Sequence, residues 1–351
     1  MQSNYAYISL HGLMPWTQTD NQKPASVLRI LLSVSALIWP LTTQSAVGAE
    51  LPNAKRSHAD RSHWLTLEGE TRARFETLDG QFRANGKGGD QLLALRTLLR
   101  AEARLPKSTT NQPNSPSITL GIELQDSRTY LGDDGTPLSS SYTNPLDVLQ
   151  LYARADNLPS VIDYDATSHL TLGRQTVSIG SKRQIERVSY ANVIKSYTGA
   201  HWVSHSGQGD QLHAIYVVPI NRRPSTQTEI FDNELESDKE QWQRRIWGLH
   251  FIKREILSER VSALQGEAFI YGLEENDSRR FQTPDRAYTT VGFRLFREAQ
   301  ANQWDTDIEA AYRSGTRYAS SNPADTNSLE VRALMLIAAP VSYTHLTLPT
   351  I

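Results

Sequence analysis

The sequence predicts an all-β protein, an antiparallel transmembrane β-barrel preceded by a cleavable signal peptide. Three observations support this fold class. From Trp64 onward, apolar and polar residues alternate with period two in long runs, which is typical of strands whose two faces meet different surroundings. Long and short connections alternate between these runs. A short apolar segment lies near the N-terminus, ahead of the first run.

The first element is a secretory signal. The apolar run ILLSVSALIWPL covers Ile30–Leu41, which is too short for a membrane-spanning helix of about 20 residues. Basic residues precede it, and Val47 and Ala49 suit the small positions before a signal-peptidase cleavage site. We therefore expect residues 1–49 to be a signal peptide, with Met14 as an alternative start. A signal anchor is the other interpretation.

About twelve strands are expected after the signal, most of them 10–14 residues long. Strands in soluble sheets usually have five or six residues, whereas a tilted strand crosses a bilayer in about 9–11 residues. A soluble β-sandwich would show the same alternation. The predicted strands lie at about 64–76, 92–105, 118–131, 146–158, 168–180, 197–206, 210–219, 244–256, 261–274, 286–298, 303–315 and 328–340.

The connections favour the membrane barrel over the sandwich. Except for the Pro- and Ser-rich segment 106–117, long connections alternate strictly with short ones. Bacterial outer-membrane barrels have this pattern, because their periplasmic turns are tight and their outer loops are extended. The pattern predicts a bacterial outer-membrane location with the mature N-terminus on the periplasmic side.

The C-terminal segment, residues 341–351, carries no charge and does not continue the preceding pattern. Its residues Val341–Thr350 resemble the translation of a sequencing-library adapter. We therefore expect this segment to be non-native and the barrel domain, residues 60–340, to be incomplete. If so, the last strand is an artificial edge, and the chain alone should not insert stably. A genuine C-terminal strand is the alternative.

Charge and composition exclude several classes of function. The 351-residue chain has 36 Lys and Arg against 38 Asp and Glu, a balance that argues against electrostatic binding of nucleic acid. Cys is absent, which excludes disulfides, thiolate metal sites and Cys nucleophiles. The sequence contains no G-x-S-x-G, H-E-x-x-H or phosphate-binding Gly-rich motif. We therefore predict neither an enzyme nor a cofactor or metal site.

Two possible metal sites have simpler interpretations. His201, His205 and His213 could approach one another across a tight hairpin, and we interpret them as part of a polar wall. Asp133 and Asp134 lie in a loop without the ligand spacing of a calcium site, and we interpret that loop as a solvated turn.

Arginine dominates the polar phase of the predicted strands, since the chain has 28 Arg and only 8 Lys. A guanidinium group binds a carboxylate in bidentate fashion and stays charged. We therefore expect a basic ladder on the face that would line a lumen, with Arg72 and Arg74 across a hairpin from Arg96 and Arg100. Acidic residues between them would limit how tightly an anion binds, or would only pair with them to stiffen the wall. The polar phase holds Arg72, Arg74, Arg96, Arg100, Arg104 and Arg154, interleaved with Glu68, Glu70, Glu102, Glu123 and Asp156.

Several segments resemble the alginate export family of outer-membrane porins, in the right order over roughly residues 60–340. They are LEGETRARFETLDGQF, LLALRTLLRAEARL, ELQDSRTYLGDDGTP, NPLDVLQLYARAD, LTLGRQTVSIGSKRQI and WDTDIEAAYRSG. The resemblance implies a barrel of about 18 strands whose Arg-rich lumen passively exports an anionic polysaccharide such as alginate. It also implies outer-membrane lipid and periplasmic export proteins as partners. A general porin for small nutrients or anions is the alternative function.

The resemblance adds candidate residues that the alternation alone does not place in a lumen. Asp126 and Arg128 share the phase of apolar residues in their strand, but the family motif includes them, which implies residues at the pore rim. Arg174 and Gln175 belong to the Gly-Arg-Gln motif. Because the apolar phase would send Arg174 outward, we expect a β-bulge at Gly173 to turn it inward.

Overall fold

The computed structural model describes residues 64–78, 90–105, 115–132, 138–256, 264–278, 281–298 and 304–342, all within one compact unit, His63–Ile351. These residues form one antiparallel sheet and one short helix. The elements are β1 (Leu65–Leu78), β2 (Asp90–Arg104), β3 (Ser117–Tyr130), β4 (Asn144–Pro159), β5 (Thr167–Gln175), β6 (Tyr197–His205), β7 (Gln211–Asn221), α1 (Gln227–Phe231), β8 (Lys239–Glu240), β9 (Arg244–Lys253), β10 (Gln265–Glu275), β11 (Ala287–Arg297), β12 (Trp304–Tyr318) and β13 (Ser328–Ser342).

The sheet confirms the all-β fold class. Its strands pair in chain order from β1 to β7 and from β9 to β13, with β9 beside β7 and the two-residue β8 paired to the end of β7. The twelve long strands coincide with the twelve predicted ones, apart from their ends. The expected signal peptide and the loop with Asp133 and Asp134 lie outside the described residues.

Of the strand ends that differ from the predicted ones, two lie next to segments with a role of their own. β5 ends at Gln175 rather than near residue 180, because Val177 and Ile179 leave the sheet and pack on one of its faces. β13 continues to Ser342, two residues into the segment expected to be non-native.

Burial is reversed relative to a soluble sheet. On one face, polar side chains are almost inaccessible: Glu123 is 3% exposed and Gln125 2% exposed. On the other face, leucines are open, with Leu99 50% and Leu151 58% exposed. We name these the inner face and the outer face. An apolar outer face and a polar inner face are what a barrel in lipid requires.

Residues 176–196, which connect β5 to β6, lie on the inner face, and we name this segment the strap. Val177, Ile179 and Ile185 of the strap form one buried cluster with β-strand residues that include Phe269 and Tyr271. A second cluster joins Ile194 of the strap to Leu98 and Leu149. Burial of these apolar side chains stabilises the strap against the sheet.

The helix α1 lies in the connection between β7 and β8. It begins at a capping box, in which the Thr226 hydroxyl accepts from the Glu229 amide and the Glu229 carboxylate accepts from the Thr226 amide. Among the described residues, no helix has the length and apolar character needed to cross a membrane.

Candidate functional site

The inner face of β1 and β2 carries the predicted arginine ladder, with one change in register. Arg72 lies directly opposite Arg96, as expected, whereas Arg74 lies opposite Ala94 and Arg100 opposite Glu68. Two guanidinium groups that face each other repel, so they need acceptors close by.

The strap supplies those acceptors as backbone carbonyl groups. Arg72 Nη2 donates to the Ala191 carbonyl over 2.9 Å, and Arg74 Nη1 donates to the Tyr190 carbonyl over 2.7 Å. Arg96, which is 3% exposed, donates from Nη1 to the carbonyls of Ser189 and Ala191, each over 2.7 Å. These three arginines therefore hold the strap against the sheet.

Acidic neighbours pair with the same arginines. Arg96 also contacts Glu70, and Arg74 contacts Glu76. The expectation that interleaved carboxylates moderate the arginine ladder agrees with these pairs. The alternative that these charges stiffen the wall agrees with them equally well.

The opposite end of the strap is anchored on β12. Arg183 donates from Nη2 to Asp307 over 2.8 Å and also contacts Glu309, whose side chain is fully buried. The strap thus contacts both β1–β2 and β12 across the inner face.

A cavity of about 340 Å³ lies between the strap and the first half of the sheet. Arg100 and Arg154 line it, and both lie near Glu102, at 2.8 Å and 3.8 Å. Arg154 Nε also donates to Asp156 over 2.8 Å. We name this the ladder cavity, lined by Arg100, Gln150, Tyr152, Arg154, Thr171, Gln175, Thr176, Arg187 and His201.

Arg187 of the strap is a functional candidate that the sequence analysis missed. It donates from Nη2 and Nη1 to the two carboxylate oxygens of buried Glu123, over 2.6 and 3.0 Å. Glu123 also accepts from the Gln150 side chain. Periodicity could not find Arg187, since a connection has no alternation that assigns a face. Its place beside the family-like LTLGRQTVSIGSKRQI segment was the available signal.

Arg104 lies in the inward phase, as alternation predicts, and so does Gln175, which only the family motif had indicated. Gln175 is 3% exposed, and its amide donates to the Gly199 carbonyl over 3.2 Å at the ladder cavity. Arg104 is exposed near the end of β2, opposite Thr119.

Arg174 stays in the outward phase, opposite Leu151. Strand pairing continues through Gly173 without a shift in register, so the expectation of a bulge there was wrong. Gly173 has a φ of 118°, and a Cβ atom built on it would lie 2.5 Å from the Leu151 carbonyl oxygen. The glycine therefore permits close approach of two backbones. Arg174 is neutralised by Glu240 of β8, at 2.9 Å.

Asp126 and Arg128 also lie in the outward phase, alongside Ile122 and Leu124. Arg128 Nε donates to Asp126 Oδ1 over 3.0 Å, and the same oxygen accepts from the Leu146 amide. The structure does not bring this pair together with the inward arginines.

Histidines contribute to the inner face of β6, β7 and β9. His201 Nε2 lies 3.1 Å from His213 Nδ1, and His250 lies edge-on to His213. His250 Nδ1 lies 2.9 Å from the Tyr271 hydroxyl. Among the described residues, no cluster of three or more His, Asp or Glu has a geometry that could hold a metal ion.

The comparison with known proteins gives one match. The sequence model of a family described as "Alginate export" matches residues 63–345, a range that contains all thirteen strands. No curated protein and no solved structure matches the chain.

Proposed function

The chain belongs to the alginate export family, and from this premise we propose that it is an outer-membrane channel that passively exports an anionic polysaccharide through an Arg-lined lumen. Members of the family are outer-membrane transport channels for polysaccharide, not enzymes. We propose in addition that transport is passive and that the inner face lines the lumen.

The ladder cavity is the observation that carries the proposal. Arg100 and Arg154 line it from the sheet and Arg187 from the strap. Each guanidinium group already has an acidic neighbour. An incoming uronate carboxylate would therefore exchange with a carboxylate of the protein rather than bind a bare cation. Passage through a channel needs such binding, strong enough for entry and weak enough for release.

Flux through protein reconstituted in vesicles tests the proposal. We expect uronate oligosaccharides to pass faster than neutral oligosaccharides of the same length. The double variant Arg100→Gln/Arg154→Gln should slow uronate flux several-fold and leave neutral flux unchanged, because only the charged cargo loses its partners. Raising the salt concentration should reduce the preference, since the Debye length falls to about 3 Å at 1 M salt.

The control is Arg332→Gln, which removes a cation that is 73% exposed on β13 and paired with Glu330. It should leave both fluxes unchanged. Equal flux of neutral and anionic oligosaccharides through the unaltered protein would favour a general porin instead.

A further inference from the structure

A second and larger cavity lies on the inner face, with a volume of about 630 Å³. It is formed where β6 and β9 begin and where β7 and β10 end, so it lies at the end of the sheet that carries the long connections. Its volume is within the range of roughly 300–1,000 Å³ that is usual for small-molecule sites. We name it the long-loop cavity.

Cationic side chains dominate the lining of the long-loop cavity. They come from four segments of the chain: Lys195 from the strap, Arg222 and Arg223 after β7, Arg244 at the start of β9, and Arg286 before β11. None of the described residues that line the cavity is acidic. Five positive charges around one cavity raise the local concentration of anions.

Nearby carboxylates neutralise only part of this charge. Arg244 and Arg286 share a single carboxylate, that of fully buried Glu275, with distances of 2.8 and 2.5 Å from their Nε atoms. One acid between two arginines leaves a net positive charge. Arg223 has a looser contact, 3.8 Å to Glu236.

Among the described residues, two of the cations make no ion pair, although the charge of Asp238 acts on Arg222 from a longer distance. Within the described part of the chain, neither Lys195 nor Arg222 has a carboxylate within 4.0 Å. Arg222 Nη1 makes one long hydrogen bond, 3.4 Å, to the Val193 carbonyl of the strap. A guanidinium group with unused donors favours a bidentate anion such as a carboxylate.

We propose that the long-loop cavity is a binding site for a carboxylated oligosaccharide, in which Lys195 and Arg222 contact the carboxylate groups. This inference rests on the proposed function, and it adds a second binding site for the polyanion as it passes through the channel. Tyr197 and Phe281 also line the cavity and give aromatic surface against which the apolar face of a sugar ring can pack. The strap contributes to both cavities, since Arg187 lines the ladder cavity and Lys195 lines the long-loop cavity.

Calorimetric titration of the full chain in detergent tests the site without requiring transport. The probes are a uronate tetrasaccharide and a neutral glucose tetrasaccharide. We expect the double variant Lys195→Gln/Arg222→Gln to bind the uronate at least about tenfold more weakly, because the loss of one charge-assisted contact already accounts for a factor of about ten and this variant removes two. Arg222→Lys should retain part of the affinity, and Arg332→Gln should retain all of it.

The outcomes separate this inference from the function on which it rests. If the double variant binds the uronate as tightly as the unaltered protein, the long-loop site is wrong, while selective flux in vesicles would still support the export channel. If the unaltered protein binds the neutral and the uronate probe equally, both proposals fail. Unchanged circular dichroism and heat-modifiable gel mobility show that each variant is folded.

Discussion

Asp238 is a half-buried residue in the connection between β7 and β8. Burial, and next the charge of Asp147, raise the pKa of Asp238 to about 7. Its Oδ1 accepts from the Asn144 side chain over 2.8 Å and from the Arg223 amide over 2.7 Å. Because the pKa is higher in the folded state than the usual value of about 3.9, the folded protein binds more protons between these values. Stability therefore falls as the pH rises from about 4 through 7.

Asp238→Asn should flatten this pH dependence. The amide keeps an acceptor oxygen for both donors but carries no charge to repel Asp147. We expect the variant to gain stability over the unaltered protein above pH 7 and to show little gain near pH 4. Urea unfolding of the refolded protein across this pH range measures the effect. Asp232→Asn, which alters an exposed carboxyl group, should follow the unaltered protein, and a similar gain there would contradict the assignment to Asp238.

Gly173 is required by backbone geometry. Alanine at this position would combine a positive φ with a contact of 2.5 Å to the Leu151 carbonyl oxygen. We expect Gly173→Ala to destabilise the protein by about 1–3 kcal/mol, the usual cost of such strain. Gly69→Ala is the matched control, because a Cβ atom there would meet nothing nearer than the Leu99 side chain at 3.5 Å. Equal unfolding midpoints for the two variants would rule out this account.

Sequence reasoning placed individual side chains well where alternation is strict. It predicted the inward phase of Arg72, Arg96 and Arg100, because period two fixes the face of every residue in a continuous strand. It could not predict that strap carbonyls accept from Arg72 and Arg96, since alternation shows where a side chain points and not what approaches it. For Arg174 it predicted a bulge at Gly173, although the glycine relieves close backbone contact without changing the register.

At the scale of elements, the strap is the feature that could not be predicted from the sequence. Residues 176–180 also alternate with period two, although Val177 and Ile179 are in the opposite phase from Leu170 and Leu172. The pattern therefore extended the strand into a segment that leaves the sheet. Val177 and Ile179 have apolar partners on the inner face, and this tertiary packing outweighs their tendency to pair as a strand. The number and order of strands were predictable, because each long strand has its own alternating run.

Releasing the strap from the inner face should widen the channel. Arg96→Ala removes both hydrogen bonds to the Ser189 and Ala191 carbonyls, and a hydrogen bond of a charged group contributes about 1.5–3 kcal/mol. We expect faster proteolysis within the strap, at Lys182, Arg183 or Arg187, and a higher conductance in planar bilayers. The control is Arg104→Gln, which removes an inward-phase arginine for which no contact with the strap is seen among the described residues. A conductance unchanged by Arg96→Ala would show that the strap does not obstruct the channel.

At the scale of the whole sheet, function depends on whether the outer face contacts lipid or water. Leu99 lies near the middle of β2 and is 50% exposed, while Leu105 lies just beyond its end and is 42% exposed. If the outer face contacts lipid, an arginine at midplane costs about 2–4 kcal/mol and one near the interface about 0–1 kcal/mol. If the outer face contacts water, neither substitution should be costly.

Leu99→Arg and Leu105→Arg therefore distinguish a membrane barrel from a soluble sheet. We expect Leu99→Arg to lower the free energy of unfolding in vesicles by about 2–4 kcal/mol and Leu105→Arg to change it by less than about 1 kcal/mol. Both positions lie on the same strand and exchange the same residue types, so membrane depth is the main variable between them. Urea titration of protein refolded in vesicles gives both values. Equal and small effects would mean that the leucines do not face acyl chains. The proposal of a membrane channel would then be wrong, because the inner face can line an aqueous path through a membrane only if the outer face contacts lipid.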